Sequence, residues 1–543
     1  MDSLIEGNLV DVRHKRIYPA KISQKNGVFA SVEHVLGKYD GYLLPGLIDS
    51  HIHIESSLLC PSRFAEAVVP HGTTSVITDP HEIANVLGIQ GIEYMCKDSR
   101  TVPLRVYFTA PSCVPATPFE TSGAVIGPAE IEQLLAREDF VALGEMMNYP
   151  GVINHDPDVM AKLEVANKAG KPVDGHAPLL TGAGLKEYVS SGISTDHECT
   201  SSEEAREKYS LGMKIMVRNG SASRDLGALS EFAKKHEFLL VSDDKNVSDL
   251  MQGHIDRSLA EAVALGIDPV HAVKAATLNP ALHYSLPLGA IEPGRRADLV
   301  KVKDLKSFEV EDVYINGELV ASSGVVKFEI KPKEMVSQFV PQRRVPSDFE
   351  TPSSSPYVEA RVIGVVKDEI VTDSLTAMLQ TADGKVMPDL EHDIAKISVV
   401  NRYHEAPVAN GFVKGLGIKS GAISSSVAHD SHNIIVAGAD SESMAIAANA
   451  LITEGGGFCV ASGGKTSILN LHIAGLMCTK PAAEVKRILD QLHAKVKELG
   501  CALDSPFMTM SFLSLLVVPK LKLGDKGLFD VSTFQFVDVL TKK

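Results

Sequence analysis

The chain has 543 residues, 44% hydrophobic and 22% charged, which is enough for more than one buried core and too long for a single ordinary domain. Its 53 basic and 68 acidic side chains give a formal charge of −15 with no long basic run, which argues against nucleic acid or an anionic membrane as partner, since both need a positive face. Seven cysteines without a Cys-x-x-Cys pair argue against a disulfide framework or a thiolate zinc site, and with neither a signal-peptide layout nor a bilayer-length apolar run the expected compartment is the cytoplasm.

From about Leu4 to Leu44, short apolar stretches broken by Gly, Asn and Lys predict β-strands and turns. Residues 45–287 then alternate apolar runs (GLIDSHIHI, TTSVIT, LRVYFTA, FVALGEM, KPVDGHA, ISTDHE, KIMVRNG and FLLVSDD) with longer stretches such as DPDVMAKLEVANKAG and SEEAREKYSLG, which suit amphipathic helices. That alternation predicts an α/β fold on a parallel sheet, most economically closed as a (β/α)8 barrel of the TIM type; a count of seven or nine runs also fits. Strand texture returns from about Leu288, so residues 1–44 and 288–331 are expected to form one small β-domain split in sequence. Residues 332–357, rich in Pro and Ser, read as a linker, and residues 358–543 as a further α/β domain with glycine-rich turns.

On a strand, side chains two apart share a face, so Asp49, His51, His53 and Glu55 in GLIDSHIHIES are expected to point the same way. Two imidazoles at a strand end suit zinc, iron and related ions, but an HxH pair alone is a weak signal. Later strand ends add Glu145 after FVALG, His176 after PVDG, His197 after ISTD, and Asp243 and Asp244 after FLLVS. Strand ends of a β/α barrel face one mouth, so these residues converge. Each alone is better read as a solvated loop residue or a hydrogen-bonded core histidine; in this order they point to a metal-dependent hydrolase, with Glu145 the natural bridge between two ions. In TTSVITDPHEIANVLG, Asp79, His81 and Glu82 follow the second run. Asp79 fits a helix N-cap as well as a catalytic role, whereas the position of His81 and Glu82 at the mouth favours function.

PGLIDSHIHIESS, HGTTSVITDPHEIANVLG, GEMMNYPGV, DGHAP, STDHE and SDDK, in this order, resemble the adenine deaminase family of the amidohydrolase superfamily. The resemblance runs on through NRYH, GIKSGAISSSVAHDSHNI and GGGF, and its second motif is far more specific than HxH. It implies a distorted (β/α)8 barrel with a split β-sandwich flank and a C-terminal domain, and hydrolysis of adenine to hypoxanthine and ammonia in purine salvage. Carried over residue by residue, it implies one metal on His51, His53 and Asp243, a second on His176 and His197, and Glu145 as the bridge where many relatives use a carbamylated lysine. Manganese or ferrous iron is the implied metal; zinc is also permitted by the ligand types. The implied mechanism is attack of a metal-bridging hydroxide on C6, with Asp243 moving its proton to the departing amine and Asp79, His81 or Glu82 serving N1. Asp244 would recognise an imidazole-ring N–H of the purine, and Glu55 would reach substrate or support the ligands.

His429, Asp430 and His432 suit a structural or active-site-lining role better than an independent metal site. Two rival readings stand beside this one: another amidohydrolase acting on a different heterocyclic amine or a cyclic amide, and a metal-binding scaffold without catalysis. The filled ligand set argues against the second. A chain of this size is expected to form a homo-oligomer.

Overall fold

The computed structural model describes residues 3–335, 339–340, 342–367 and 369–541. Residues 336–338 and 341 of the expected linker lie outside the described residues, as do 1, 2, 368, 542 and 543. The chain divides into two units: Met1–His81, Glu93–Cys113 and Ile126–Lys333 make the first, and Glu82–Ile92, Val114–Val125 and Glu334–Lys543 the second.

The first unit opens with β1 (Ser3–Asp11), β2 (Arg16–Lys25), β3 (Val28–His34) and β4 (Tyr42–Pro45). There follow β5 (Leu47–Ile52), β6 (Thr73–Thr78), β7 (Arg105–Ala110), β8 (Phe140–Met146), β9 (Val173–Gly175), β10 (Thr195–Asp196), β11 (Lys214–Arg218) and β12 (Leu239–Val241). It ends with β13 (Leu299–Val302), β14 (Val310–Ile315), β15 (Glu318–Ser322) and β16 (Val325–Val326). Strands β5 to β9 pair in sequence order, as do β10 to β12, every pair parallel. Parallel bridges Val173–Ile193 and Ile52–Asp243 join the two sets into a barrel of the TIM type. Each of the eight apolar runs supplies one strand. Both β6 and β8 are buried at every position, which explains why such runs lack an alternating pattern.

The helices between them follow local signals. Pro157–Ala169 starts where the Asp156 side chain accepts from the N–H groups of Asp158 and Val159, has proline at its first position, and stops at Gly170, whose φ of 65° suits glycine. Ser202–Ser210 starts where Ser201 accepts from the Glu204 N–H. Beside the barrel, one sheet in the order β16-β15-β14-β13-β4-β1-β2-β3 unites strands from the two ends of the unit. Its seam is β4 against β13, antiparallel, with Leu44 opposite Val300.

The second unit is built on a nine-stranded sheet. Its spatial order is Lys385–Val386, Thr372–Ala382, Tyr357–Val365, Ala409–Lys414, Ile394–Val400, Ile434–Gly438, Ala422–Ser425, Gly457–Ser462 and Lys465–Asn470. Helix Ser441–Glu454 packs Met444, Ala447, Ala448 and Leu451 against Val400, Val436 and Cys459 of that sheet. Helix Ala482–Glu498 buries Val485, Leu489, Leu492 and Val496, the spacing of one amphipathic face. All seven cysteines are free and buried. Among the described residues no helix is long and apolar enough to cross a membrane.

Candidate metal centre

The C-terminal ends of the barrel strands bring His51, His53, Glu145, His176, His197 and Asp243 into one cluster, buried except for the half-buried His176. His53 Nε2 stands 3.2 Å from both Glu145 Oε1 and Asp243 Oδ1, and His51 Nε2 stands 3.6 Å from Asp243 Oδ1. On the other side of Glu145, Oε2 lies 2.7 Å from His176 Nδ1 and 3.2 Å from His197 Nε2. Glu145 therefore turns Oε1 to His53 and Oε2 to His176 and His197.

Several contacts fix this geometry. His53 Nδ1 lies 3.0 Å from the Asp79 carbonyl oxygen, which only accepts, so Nδ1 carries the proton and Nε2 is left as the inward-facing atom. Asp79 Oδ2 accepts the backbone N–H of Glu145 at 3.0 Å. Ser112 Oγ donates to the Glu145 carbonyl at 2.6 Å, and Lys162 Nζ to the Ser112 carbonyl at 3.1 Å. Asp243 has a φ of 58°, in the left-handed region, and its N–H donates to the His51 carbonyl at 2.9 Å. That turn aims its carboxylate at the two histidines across the seam where the barrel closes.

Burial is the largest influence on these groups; it pushes imidazoles down and carboxyls up, and the mutual charges overcome it. Bonds from Asp243 and Glu145 hold His53 well above the ordinary imidazole value, and Glu145 and Glu198 do the same for His197. His176 is raised by Glu198 and Glu145. Glu145 is held well below the carboxylate range by His197 and His176, and Asp243 by His51 and His53.

The residues present fit a divalent cation. His51 Nε2 is buried with no hydrogen-bond partner among the described residues, and His176 Nδ1 and His197 Nε2 face each other at 3.2 Å. Inward-facing nitrogens of this kind need a Lewis acid or protons between them and the carboxylates. The donors are imidazole nitrogens and carboxylate oxygens without thiolate, a set compatible with manganese, iron or zinc.

A model described as "Amidohydrolase family" matches residues 42–320, and one described as "Adenine deaminase C-terminal domain" matches residues 369–535. The chain is 45% identical over 543 residues to the adenine deaminase of Methanosphaera stadtmanae, covering 99% of this chain and 100% of that one. It is 47% identical over 547 residues to that of Methanothermobacter thermautotrophicus, with the same two coverages. The chain belongs to the adenine deaminase family. Similarity reaches bacterial members as well: the adenine deaminase of Borreliella burgdorferi is 43% identical over 544 residues, 98% of this chain and 99% of that one.

Other positions singled out in the adenine deaminase motifs fall in different places. His81 Nδ1 lies 3.5 Å from Glu145 Oε1 and 3.7 Å from Asp79 Oδ1, and its ring packs edge-on to His53. Asp244 Oδ1 accepts from Ser56 Oγ at 2.5 Å. Asp49 is not in the cluster; it accepts from the N–H and hydroxyl of Ser242. Glu55 departs from the expected strand phase, because β5 stops at Ile52 and residues Ile54–Ser57 form a 3-10 turn, where Glu55 is buried.

In the second unit, Glu82 accepts from His429 Nδ1 at 2.6 Å and from His432 Nε2. Burial pushes His432 down to about 4 against the pull of Glu82, so it is neutral near pH 7, with its Nδ1 accepting the Ala428 N–H. Asp430 adds to the burial that drives the Glu120 carboxyl well above its ordinary range.

Two residues of the cluster were not singled out in the sequence. Glu198 Oε1 is 3.3 Å from His197 Nε2 and 3.6 Å from His176 Nδ1, and it accepts from Arg218, which also reaches Asp243. Glu198 was in view only as the last letter of STDHE, and a lone arginine in KIMVRNG carries no local signal.

Proposed function

We propose that the cluster is the catalytic centre of an adenine deaminase that hydrolyses adenine to hypoxanthine and ammonia. The observation that carries this is the position of Glu145, with one oxygen toward His53 and the other toward His176 and His197, inside a chain that matches adenine deaminases end to end. His51, His53 and Asp243 would hold one divalent ion, His176 and His197 a second, and Glu145 would bridge them. Manganese or ferrous iron suits these ligands, and zinc is compatible. Such ions supply a water acidic enough to act as nucleophile near neutral pH.

The chain's own groups do the rest. Asp243 stands at the mouth with Oδ1 toward the ligands, where it takes the proton released as adenine C6 is attacked and passes it to the departing amine. Charge that builds on the ring requires a donor at N1. Of Asp79, His81 and Glu82, His81 is best placed, because its ring lies against His53 and Glu145, while Asp79 Oδ2 is bonded to the Glu145 N–H and Glu82 to His429 and His432. Asp244 would accept from an imidazole-ring N–H of the purine, and Glu55 would support the ligands from its turn. Residues 45–287 would act as the catalytic barrel, with 1–44 and 288–331 as a β-sandwich flank and 358–543 as a separate α/β domain. The expected setting is cytoplasmic, as a homo-oligomer.

Ammonia release from adenine, adenosine, cytosine, guanine and hydantoin tests the substrate. Turnover is expected with adenine; release confined to another member of the panel overturns the assignment and favours a different amidohydrolase reaction.

A further inference from the structure

Arg218 closes β11, in register with Val241 of β12, two residues before Asp243. It is 4% exposed, and its guanidinium meets three carboxylates. Nε donates to Asp225 Oδ2 at 2.8 Å, while Nη1 serves both Glu198 Oε1 and, at 3.2 Å, Asp243 Oδ2. The other oxygen of Asp243, Oδ1, is the one that faces His51 and His53. Glu198 Oε1, the atom bound to Arg218, is also the atom beside His176 and His197.

We propose that Arg218 is a positioning residue that gives the two oxygens of Asp243 separate duties and pins Glu198 against the second pair of ligands. A carboxylate free to turn offers either oxygen, or both, to a cation. With Oδ2 held by the guanidinium, only Oδ1 faces the ligand cluster, and its orientation stays the same through a proton transfer. A guanidinium suits this task because it stays protonated and its planar fork reaches several acceptors at fixed angles, whereas an ammonium is a point charge. The same cation offsets the negative charge gathered on Asp225, Glu198 and Asp243. The role rests on Asp243 being the proton carrier.

The test compares Arg218→Ala, Arg218→Lys and Asp243→Asn, measuring kcat and KM for adenine, metal bound per chain by elemental analysis, and the response to millimolar guanidinium. Arg218→Ala is expected to keep its metal and a KM within about 3-fold while kcat falls about 100-fold, the scale of a misplaced catalytic group. Guanidinium, but not methylammonium, should restore at least about a tenth of the lost rate. Arg218→Lys should also keep metal and lose kcat, and it decides the matter if the alanine variant does not fold. Arg218 variants within about 3-fold of the parent kcat, or losses that track metal loss with no guanidinium response, overturn the role. An active Asp243→Asn would remove the underlying reading; an inactive one beside unimpaired Arg218 variants would remove the Arg218 role alone.

Discussion

Asp79 Oδ2 accepts the backbone N–H of Glu145 at 3.0 Å, tying the end of β8 to the loop that follows β6. The carboxylate sits so close to Gly144 that a Cβ there would lie 2.2 Å from Oδ2. Gly144→Ala must therefore displace either Asp79 or Glu145. We expect about 1–3 kcal/mol of destabilisation from the overpacking. Activity should fall about 100-fold as Glu145 leaves its position. Denaturant midpoint and bound metal, measured together, check this; a variant with parental metal content and activity would show that the close approach has no functional consequence.

A second lever lies behind His197. Lys208 is wholly buried, and its ammonium donates to Asp196 at 2.9 Å, Glu204 at 2.8 Å and the Ala177 carbonyl at 2.6 Å. Asp196 in turn accepts the N–H groups of Ala177 and Glu198, so one lysine steadies the residues flanking both His176 and His197. Lys208→Met leaves two buried carboxylates without their counter-charge, and we expect it to cost about 3–5 kcal/mol. A chemical denaturation curve unchanged by the substitution would contradict this.

Lys522, in the second unit, offers a pH-dependent test of burial. It is fully buried, its ammonium donates to the carbonyls of Ile370 and Phe512, and burial pushes it down to about 7. The unfolded chain binds the lysine proton up to about pH 10.4, so between about 7 and 10.4 it holds more protons than the folded chain, and this group's contribution to stability rises with pH. Lys522→Met removes that penalty. The variant should be more stable than the parent by roughly 2–4 kcal/mol near pH 7, with the gap closing toward pH 10. A gap that widens with pH would reverse the sign of the argument.

Much of the barrel was legible because each strand is a short apolar run buried on both faces and bounded by turn residues, and because side chains at strand ends share one mouth. Glu145, His176, His197 and Asp243 could be picked out on that basis. Glu55 was misphased because the two-residue period ends with β5; the chain turns after His53, and Leu58 takes a left-handed conformation with φ 66°. Glu198 and Arg218 were missed for a different reason. Their significance comes from the meeting of β10, β11 and β12: Glu198 stands beside His197 in the sequence, but its tie to Arg218 spans twenty residues and has no local pattern.

We propose that His51, His53, Glu145, His176, His197 and Asp243 hold the ions on which adenine deamination depends. Adenine-dependent ammonia release by metal-stripped protein reconstituted with manganese, ferrous iron or zinc, with Asp243→Asn alongside, tests this. Activity should be absent without metal and rise to a maximum at about two ions per chain. Asp243→Asn should keep most of its metal and lose at least about 100-fold in turnover. Ammonia release by the stripped protein would show that the ions are not required, and parental turnover in Asp243→Asn would show that Asp243 does not carry the proton.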